Sequence, residues 1–145
     1  MKSLISKAYE IARFFDVATP KDCAVVYSVS FMPNEKNKEL AINFVNKNKG
    51  AMMLDDTPCG KALIELGLNG KVNEVADEIT NIWKIASARY IFSASGNINA
   101  FVDEADERST FVSTELNNII ENDKILTING IDKFEFASNF KPYRY

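Results

Sequence analysis

The segment IWKIASARYIFSASGNINAFV, residues 82–102, contains a change of hydrophobic period that predicts a helix followed directly by a strand. Apolar residues recur at helical spacing from about residue 72 to 93 and form one stripe. That stripe consists of Val75, Ile79, Ile82, Ala86 and Tyr90. The small residues SASG end the helix, and the residues after them alternate, with Ile98, Ala100 and Val102 on one face of a strand.

The same kinds of pattern predict further elements on both sides of this segment. Leu40, Phe44 and Val45 share a face of a helix within 34–48. Thr57 suits the N-cap and Pro58 the first residue of a short helix over about 58–66. The other predicted elements are a helix over about 3–15, a strand within 23–31 and two short strands within 124–136 around Asn129–Gly130, while 139–145 is unassigned.

This order of elements favours an α+β fold over a regular βαβ repeat, because helices come first and strands mostly last. We expect the N-terminal helical part to pack with a small C-terminal β-sheet. The chain has 145 residues, is 46% hydrophobic and contains no linker-like segment. Residues 1–145 are therefore predicted to form one domain.

The charge and the cysteines restrict the partners and the compartment of the chain. A net charge of −3 argues against nucleic acid or an anionic membrane as the main partner, because both favour a clustered basic surface. No stretch is long and apolar enough to span a bilayer. Cys23 and Cys59 could form at most one disulfide, and we expect two free thiols in a reducing compartment.

The chain contains no histidine. This excludes Ser-His-Asp and Cys-His nucleophile pairs, histidine acid–base catalysis and histidine-ligated zinc. Any catalysis must therefore use carboxylates, hydroxyls, lysine, tyrosine or a bound cofactor.

No candidate residue indicates a function when it is considered alone. Trp83 and Ser87 lie on one side of the predicted helix, where a tryptophan is more often a core residue. The pair Asp55–Asp56 precedes a helix start and would ordinarily compensate the helix dipole. Glu115 has no close acidic neighbour in sequence, so we expect an ordinary pKa and an ionised carboxylate at neutral pH.

Together, three short blocks resemble the signature blocks of the ADP-ribosyl cyclase / NAD glycohydrolase family. The blocks are LDDTPCG (54–60), the segment 82–102 and STFVSTEL (109–116), in the family order. The family pattern has an acidic pair and a threonine before a Gly-containing helix, a tryptophan with a serine four residues on, and a Ser/Thr-Phe segment ending in the catalytic glutamate. These features map onto Asp55, Asp56, Thr57 and Gly60, then Trp83 and Ser87, then Ser109, Thr110, Phe111 and Glu115, within a resemblance over roughly residues 24–129.

The resemblance implies cleavage of the nicotinamide–ribose bond of NAD⁺ or NADP⁺, without a cofactor or a metal. Glu115 would stabilise the positive ribose, Trp83 would stack on the nicotinamide or ribose edge, and Ser87 would hydrogen-bond near the reacting carbon. The other implied substrate contacts are Asp55 or Asp56 at the carboxamide, Thr110 and Phe111 at the diphosphate, and Phe31 as the nearest counterpart of a missing upstream tryptophan.

The departures from the family pattern bear on context and product. The chain cannot be disulfide-rich like the animal members and is more similar to compact bacterial members, which include toxin domains delivered to competing cells. We therefore expect a cytoplasmic site of action after delivery into a target cell, with an immunity protein as a partner. Asp55 is shorter than the usual glutamate, which favours a wet pocket and hydrolysis to ADP-ribose over cyclisation. Lys61, Arg89 and Arg108 are the candidate partners of an NADP⁺ 2′-phosphate.

Two alternatives remain open at this point. A mono-ADP-ribosyltransferase also uses NAD⁺ and a glutamate, but it would need an arginine on an early strand, and Arg13 lies in a predicted helix. A small acidic interaction or immunity protein without catalysis is compatible with the charge and with the absence of histidine.

Overall fold

The computed structural model describes residues 2–28, 36–68, 76–103, 105 and 111–141. Its helices are α1 (Lys2–Phe14), α2 (Lys36–Lys47), α3 (Pro58–Glu65), α4 (Ala76–Ser93), α5 (Leu116–Glu121) and α6 (Lys133–Asn139). Its strands are β1 (Ala24–Tyr27), β2 (Met52–Met53), β3 (Gly96–Phe101), β4 (Ile125–Ile128) and β5 (Ile131–Asp132). A 3₁₀ turn covers Leu54–Asp56, and a π-helical turn covers Phe111–Glu115.

The strands form one mixed sheet in the order β2-β1-β3-β4-β5. The first four strands are parallel to their neighbours, and β5 runs antiparallel to β4. The α+β class is thus confirmed. The sheet also draws on the first half of the chain, because β1, α2 and β2 form a βαβ unit at one edge of it.

The predicted hairpin around Asn129–Gly130 is present between β4 and β5. Both residues have positive φ, 52° and 78°, as a two-residue hairpin turn with the right twist requires. The sequence prediction extended the second strand too far, because β5 ends at Asp132. The Asp132 carboxylate accepts hydrogen bonds from the Phe134 and Glu135 amides and so begins α6, which the sequence prediction missed.

Helix α4 is the central helix of the core. The predicted stripe is confirmed at Ile79, Ile82, Ala86 and Tyr90, which are all buried, while Val75 lies outside the described residues. Strand β3 alternates as predicted, with its buried side chains directed into the same core. This packing fixes the orientation of α4 relative to the sheet.

Helix α2 packs on the sheet with a slightly different face from the predicted one. Phe44 contacts Phe101 of β3, with ring centroids 5.6 Å apart. Leu40, however, is 42% exposed, and the buried residues of α2 are Asn37 and Ala41. Asn37 takes part in the buried stripe because its side chain amide donates to two backbone carbonyls, which a hydrophobicity pattern does not detect.

None of the described helices is long and apolar enough to cross a bilayer. Cys23 and Cys59 are both free, as expected, and Cys59 is fully buried at the start of α3.

Candidate active site

A cavity of about 230 Å³ opens at the carboxyl end of β1, where an α/β sheet commonly holds a ligand. Strands β1 and β2 and the following 3₁₀ turn form one wall, and α4 and the π-helical turn form the other. Its lining residues are Val25, Val26, Tyr27, Ser28, Met53, Leu54, Asp55, Trp83, Ser87, Tyr90 and Glu115. Four of the predicted site residues, from three separate blocks of sequence, therefore face one cavity.

Glu115 is the last residue of the π-helical turn and is only 8% exposed. Such turns are rare and often occur at functional sites, because they re-aim a side chain within a helical segment. The turn is anchored at its first residue, Phe111, whose buried ring makes an edge contact with Phe140 at 5.5 Å. The Ser87 hydroxyl donates a 2.5 Å hydrogen bond to Glu115 Oε2 across the cavity wall.

Burial raises the pKa of Glu115 to about 7 from an ordinary value of 4.5. The hydrogen bond from Ser87 acts in the opposite direction, and the negative charge of Asp55 adds to the increase. The expectation of an ordinary pKa was wrong. Sequence distance showed no neighbouring acid, but the fold buries Glu115 and brings Asp55 close to it.

The two aspartates of the acidic pair have different positions. Asp55 faces the cavity, and burial raises the pKa of its carboxyl, an effect that Lys38 opposes and Asp56 reinforces. Asp56 does not line the cavity; its carboxylate accepts a hydrogen bond from the Met53 amide at 3.0 Å and closes the turn. The structure thus assigns a site position to Asp55 and a structural position to Asp56.

The turn that carries Asp55 is held against the first turn of α3. The Thr57 hydroxyl donates to the Leu54 carbonyl at 2.6 Å and accepts from the Gly60 amide at 3.1 Å. Gly60 is required here, because a Cβ at this position would collide with the backbone of Leu54 and Asp55. The threonine and the glycine of the LDDTPCG block therefore position the acidic residue without touching the cavity.

Trp83 is held in place by its indole N–H, which donates to the Leu68 carbonyl at 2.9 Å. Its side chain also borders a neighbouring cavity of about 330 Å³, lined by Tyr27, Lys38, Asp55, Ile64 and Trp83. Tyr27, Asp55 and Trp83 thus line both of these adjoining cavities.

The other predicted substrate contacts are not in the described cavity. The Phe111 ring lies in the core and does not line the cavity. Phe31 and Thr110 lie outside the described residues, as does Arg108. Arg89 donates to the Ala12 and Phe15 carbonyls and caps α1, and Lys61 is exposed on α3, so neither lines the cavity as a 2′-phosphate partner would.

The described residues contain no group of three or more acidic or cysteine side chains that could bind a metal ion.

No protein-family model matches the chain, and no curated protein matches it. Several solved structures do match the chain. Apo porcine CD38 matches with a TM-score of 0.54 and 21% identity over 87% of this chain and 66% of that one. Aplysia cyclase complexed with substrate NGD and product cGDPR matches with a TM-score of 0.57 and 18% identity over 87% and 62%.

This chain has an ADP-ribosyl-cyclase-like fold. The resemblance that the sequence blocks indicated is confirmed at the level of the fold, and porcine CD38 with a covalent intermediate, ribo-F-ribose-5′-phosphate, matches equally well, with a TM-score of 0.55 and 22% identity over 86% of this chain and 66% of that one. The chain spans 62–66% of the length of these structures.

The cyclase-like fold also brings residues to the cavity that the sequence interpretation did not single out. Tyr90 was placed only in the apolar stripe, although it lies three residues after Ser87 and therefore on the same side of α4. Ser28 in this cavity and Lys38 in the neighbouring one had no sequence signal, because their positions depend on how α2 folds back over β1.

Proposed function

We propose that this protein cleaves the nicotinamide–ribose bond of NAD⁺ or NADP⁺. One observation carries the proposal: Glu115, Ser87, Trp83 and Asp55 line a single cavity in an ADP-ribosyl-cyclase-like fold. A dinucleotide substrate is supported by Aplysia cyclase, which was solved with NGD and cGDPR.

The proposed bond cleavage needs no general acid, which suits a chain without histidine. The C1′–N bond breaks, and its electron pair neutralises the pyridinium nitrogen, so nicotinamide leaves as a neutral molecule. The positive charge moves to the ribose, as in other glycosidic cleavages through oxocarbenium-like states. The ionised Glu115 stabilises this charge. The hydrogen bond from Ser87 to Oε2 would hold the Glu115 carboxylate in place beside the ribose.

Trp83 and Asp55 would orient the nicotinamide end of the substrate. The face of an indole attracts a cationic pyridinium ring, and this attraction is lost when the ring becomes neutral. The Asp55 carboxyl accepts hydrogen bonds from the carboxamide N–H groups. Because Trp83 and Asp55 lie on opposite walls, they would hold the scissile bond beside Glu115, which lowers the entropic part of the barrier.

We further propose that water, rather than the adenine of the same substrate, attacks the ribose. Water adds to C1′ and gives up a proton, so ADP-ribose is the main product and cyclic ADP-ribose a minor one. The short side chain of Asp55, where the family usually has glutamate, supports this proposal because it leaves room for water.

Glu115→Gln tests the cleavage proposal, with Glu121→Gln, an exposed glutamate on α5, as the matched control. After incubation with NAD⁺, chromatography should show nicotinamide and ADP-ribose for the wild type and the control. We expect Glu115→Gln to be slower by at least about a hundredfold, because it removes the charge that stabilises the ribose. Intact NAD⁺ with the wild type, or equal rates for both variants, would contradict cleavage. A dominant cyclic product would contradict only the preference for hydrolysis.

The cellular context is proposed from the resemblance to compact bacterial members alone. In this proposal the protein acts in the cytoplasm of a target cell as an NAD-depleting toxin domain, and an immunity protein neutralises it. Expression in a bacterial host should lower cellular NAD⁺ and arrest growth with the wild type and not with Glu115→Gln. Normal NAD⁺ levels and growth with an active wild-type protein would contradict the toxin proposal.

Arg13 gives no support to a mono-ADP-ribosyltransferase. It lies on α1, over the ring of Tyr9 at 5.1 Å, and not on a strand beside the cavity. Transfer of labelled ADP-ribose to a protein target would still reveal such an activity.

A further inference from the structure

The hydroxyl group of Tyr90 lies within the backbone ladder between β1 and β2. The parallel register pairs Ala24 with Met52 and Val25 with Met53, so the Val25 amide faces the Met52 carbonyl. The Tyr90 hydroxyl accepts from the Val25 amide at 2.9 Å and is 2.5 Å from the Met52 carbonyl oxygen, to which it donates. Its distance from the Val25 carbonyl oxygen is 3.0 Å.

In this arrangement the buried hydroxyl both donates and accepts a hydrogen bond. Tyr90 is fully buried, and burial raises the pKa of its phenol far above the ordinary value, so the group stays neutral and acts only as donor and acceptor. A buried tyrosine hydroxyl that lacked partners would be costly, and here the strand backbone supplies them.

The hydroxyl therefore joins the two walls of the candidate active site. On one side is α4, which also carries Trp83 and Ser87. On the other side is β2, only two residues long, which leads directly into the turn that carries Asp55. A two-residue edge strand has few ladder bonds of its own, so its distance from α4 depends strongly on this contact.

We propose that Tyr90 is a positioning residue, whose hydroxyl sets the separation between Asp55 on one wall and the Ser87–Glu115 pair on the other. The proposal rests on the proposed function where it concerns substrate. Tyr90 does not act on the reacting atoms; its hydroxyl ties β2 to α4 and so keeps Asp55 close to the Ser87–Glu115 pair.

Removal of the hydroxyl breaks the hydrogen bonds that tie α4 to β1 and β2. The parallel register already pairs the Val25 amide with the Met52 carbonyl, so in Tyr90→Phe the two strands stay paired while β2 is no longer held toward α4. Asp55 moves with β2, and its distance from Glu115 increases. The groups that face Glu115 are then Ser87 from α4 and a more distant Asp55 from the turn, with Asp56 still bound to the Met53 amide.

The test compares Tyr90→Phe with Tyr9→Phe, a tyrosine of α1 that does not line the cavity. We expect kcat/KM for NAD⁺ to fall by about ten- to a hundredfold in Tyr90→Phe, mostly through KM, because a displaced Asp55 binds the carboxamide of the substrate less well. Tyr9→Phe should retain wild-type values. If KM and kcat of Tyr90→Phe equal those of the wild type, the proposal is overturned.

A second measurement does not depend on activity. The pKa of the Glu115 carboxyl, followed by ¹³C NMR, should decrease in Tyr90→Phe, because Asp55 and the burial beside it both raise it. An unchanged Glu115 pKa would overturn the positioning role. If the wild-type protein leaves NAD⁺ intact and the Glu115 pKa still decreases in Tyr90→Phe, the positioning role is supported and the proposed function is contradicted.

Incorporation of 4-aminophenylalanine at position 90 tests whether hydrogen bonding, rather than ring packing, is responsible. Its amine both donates and accepts, so kcat/KM and the Glu115 pKa should return to within about twofold and a few tenths of a unit of the wild type. This variant also carries the test if Tyr90→Phe does not fold. A 4-aminophenylalanine protein that resembles Tyr90→Phe would contradict the proposal.

Discussion

Burial raises the pKa of Glu115 to about 7, so its carboxyl changes charge close to neutral pH. Only the ionised carboxylate can stabilise a positive ribose. We therefore expect kcat/KM for NAD⁺ to increase with pH, with a midpoint near 7, and to level off above about pH 8. Rates measured from pH 5 to 9 would show this single acidic limb.

Asp55→Asn tests whether the acidic limb of the pH profile of kcat/KM reports the ionisation of Glu115. The negative charge of Asp55 contributes to the raised pKa of Glu115, so the midpoint should move to lower pH in this variant. A profile without an acidic limb between pH 5 and 9 would show that the ionisation of Glu115 does not limit the reaction.

The resemblance to the cyclase family placed Glu115, Trp83, Ser87 and Asp55 in one site, and all four line one cavity of the structure. The electrostatic state of Glu115 could not be predicted in the same way. Burial depends on α4 and the sheet, which are distant in sequence, and the contact with Asp55 spans 60 positions. The role of Tyr90 was missed for a related reason. Its place in an apolar stripe does not show which backbone groups its hydroxyl will bond in the folded protein.

Gly60 determines how closely α3 packs on the turn that carries Asp55. A Cβ at Gly60 would overlap the Leu54 carbonyl and the Asp55 backbone, neither of which can rotate away. We expect Gly60→Ala to lower the free energy of unfolding by about 1–3 kcal/mol, as overpacking typically does. Because Asp55 is displaced, kcat/KM should also fall by about tenfold or more.

Gly130→Ala is the control for this prediction. Gly130 has a φ of 78° in the β4–β5 turn, so alanine there strains the backbone without touching the cavity. The control should lose about 1 kcal/mol of stability and keep its kcat/KM. If Gly60→Ala loses stability and keeps full activity, the turn does not position Asp55 as the contacts indicate.

Elements with strong local signals were predicted well, and the others were not. Thr57 and Pro58 begin α3 where the capping pattern placed it, and Asn129–Gly130 form the predicted turn. The π-helical turn was not predicted, because it depends on the packing of Phe111 against Phe140, the residue that follows α6. Helix α6 itself has seven residues and contains two aromatics, which resemble a strand when hydrophobicity alone is considered.

At the level of the whole molecule, the α+β class followed from the order of elements, but the order of strands did not. Strand β2 has two residues and no pattern of its own. Its place beside β1 depends on long-range polar contacts such as that of Tyr90. Similarly, Asn37 joins the ends of β1 and β3 through the Ser28 and Asp103 carbonyls, a contact that only the folded backbone creates.

The raised pKa of Glu115 also makes the stability of the whole molecule depend on pH. In the unfolded chain Glu115 loses its proton near 4.5, whereas in the folded protein it keeps the proton until about 7. Between these values the folded state binds more protons, so the free energy of unfolding decreases as pH rises. The full decrease, reached above pH 7, is about 3 kcal/mol from this residue.

Glu115→Gln should remove that dependence while keeping the hydrogen bond from Ser87, because the amide oxygen can accept it. We expect the variant to exceed the wild type in unfolding free energy by about 2–3 kcal/mol at pH 8 and to be nearly equal to it at pH 4.5. Denaturant titrations of both proteins at the two pH values would measure the difference. Equal stabilities at pH 8 would mean that the charged Glu115 is well solvated, and the site would then have to stabilise the ribose without a desolvated carboxylate. A more stable but inactive variant would show that the rest of the core offsets the cost of holding one buried charge for the substrate.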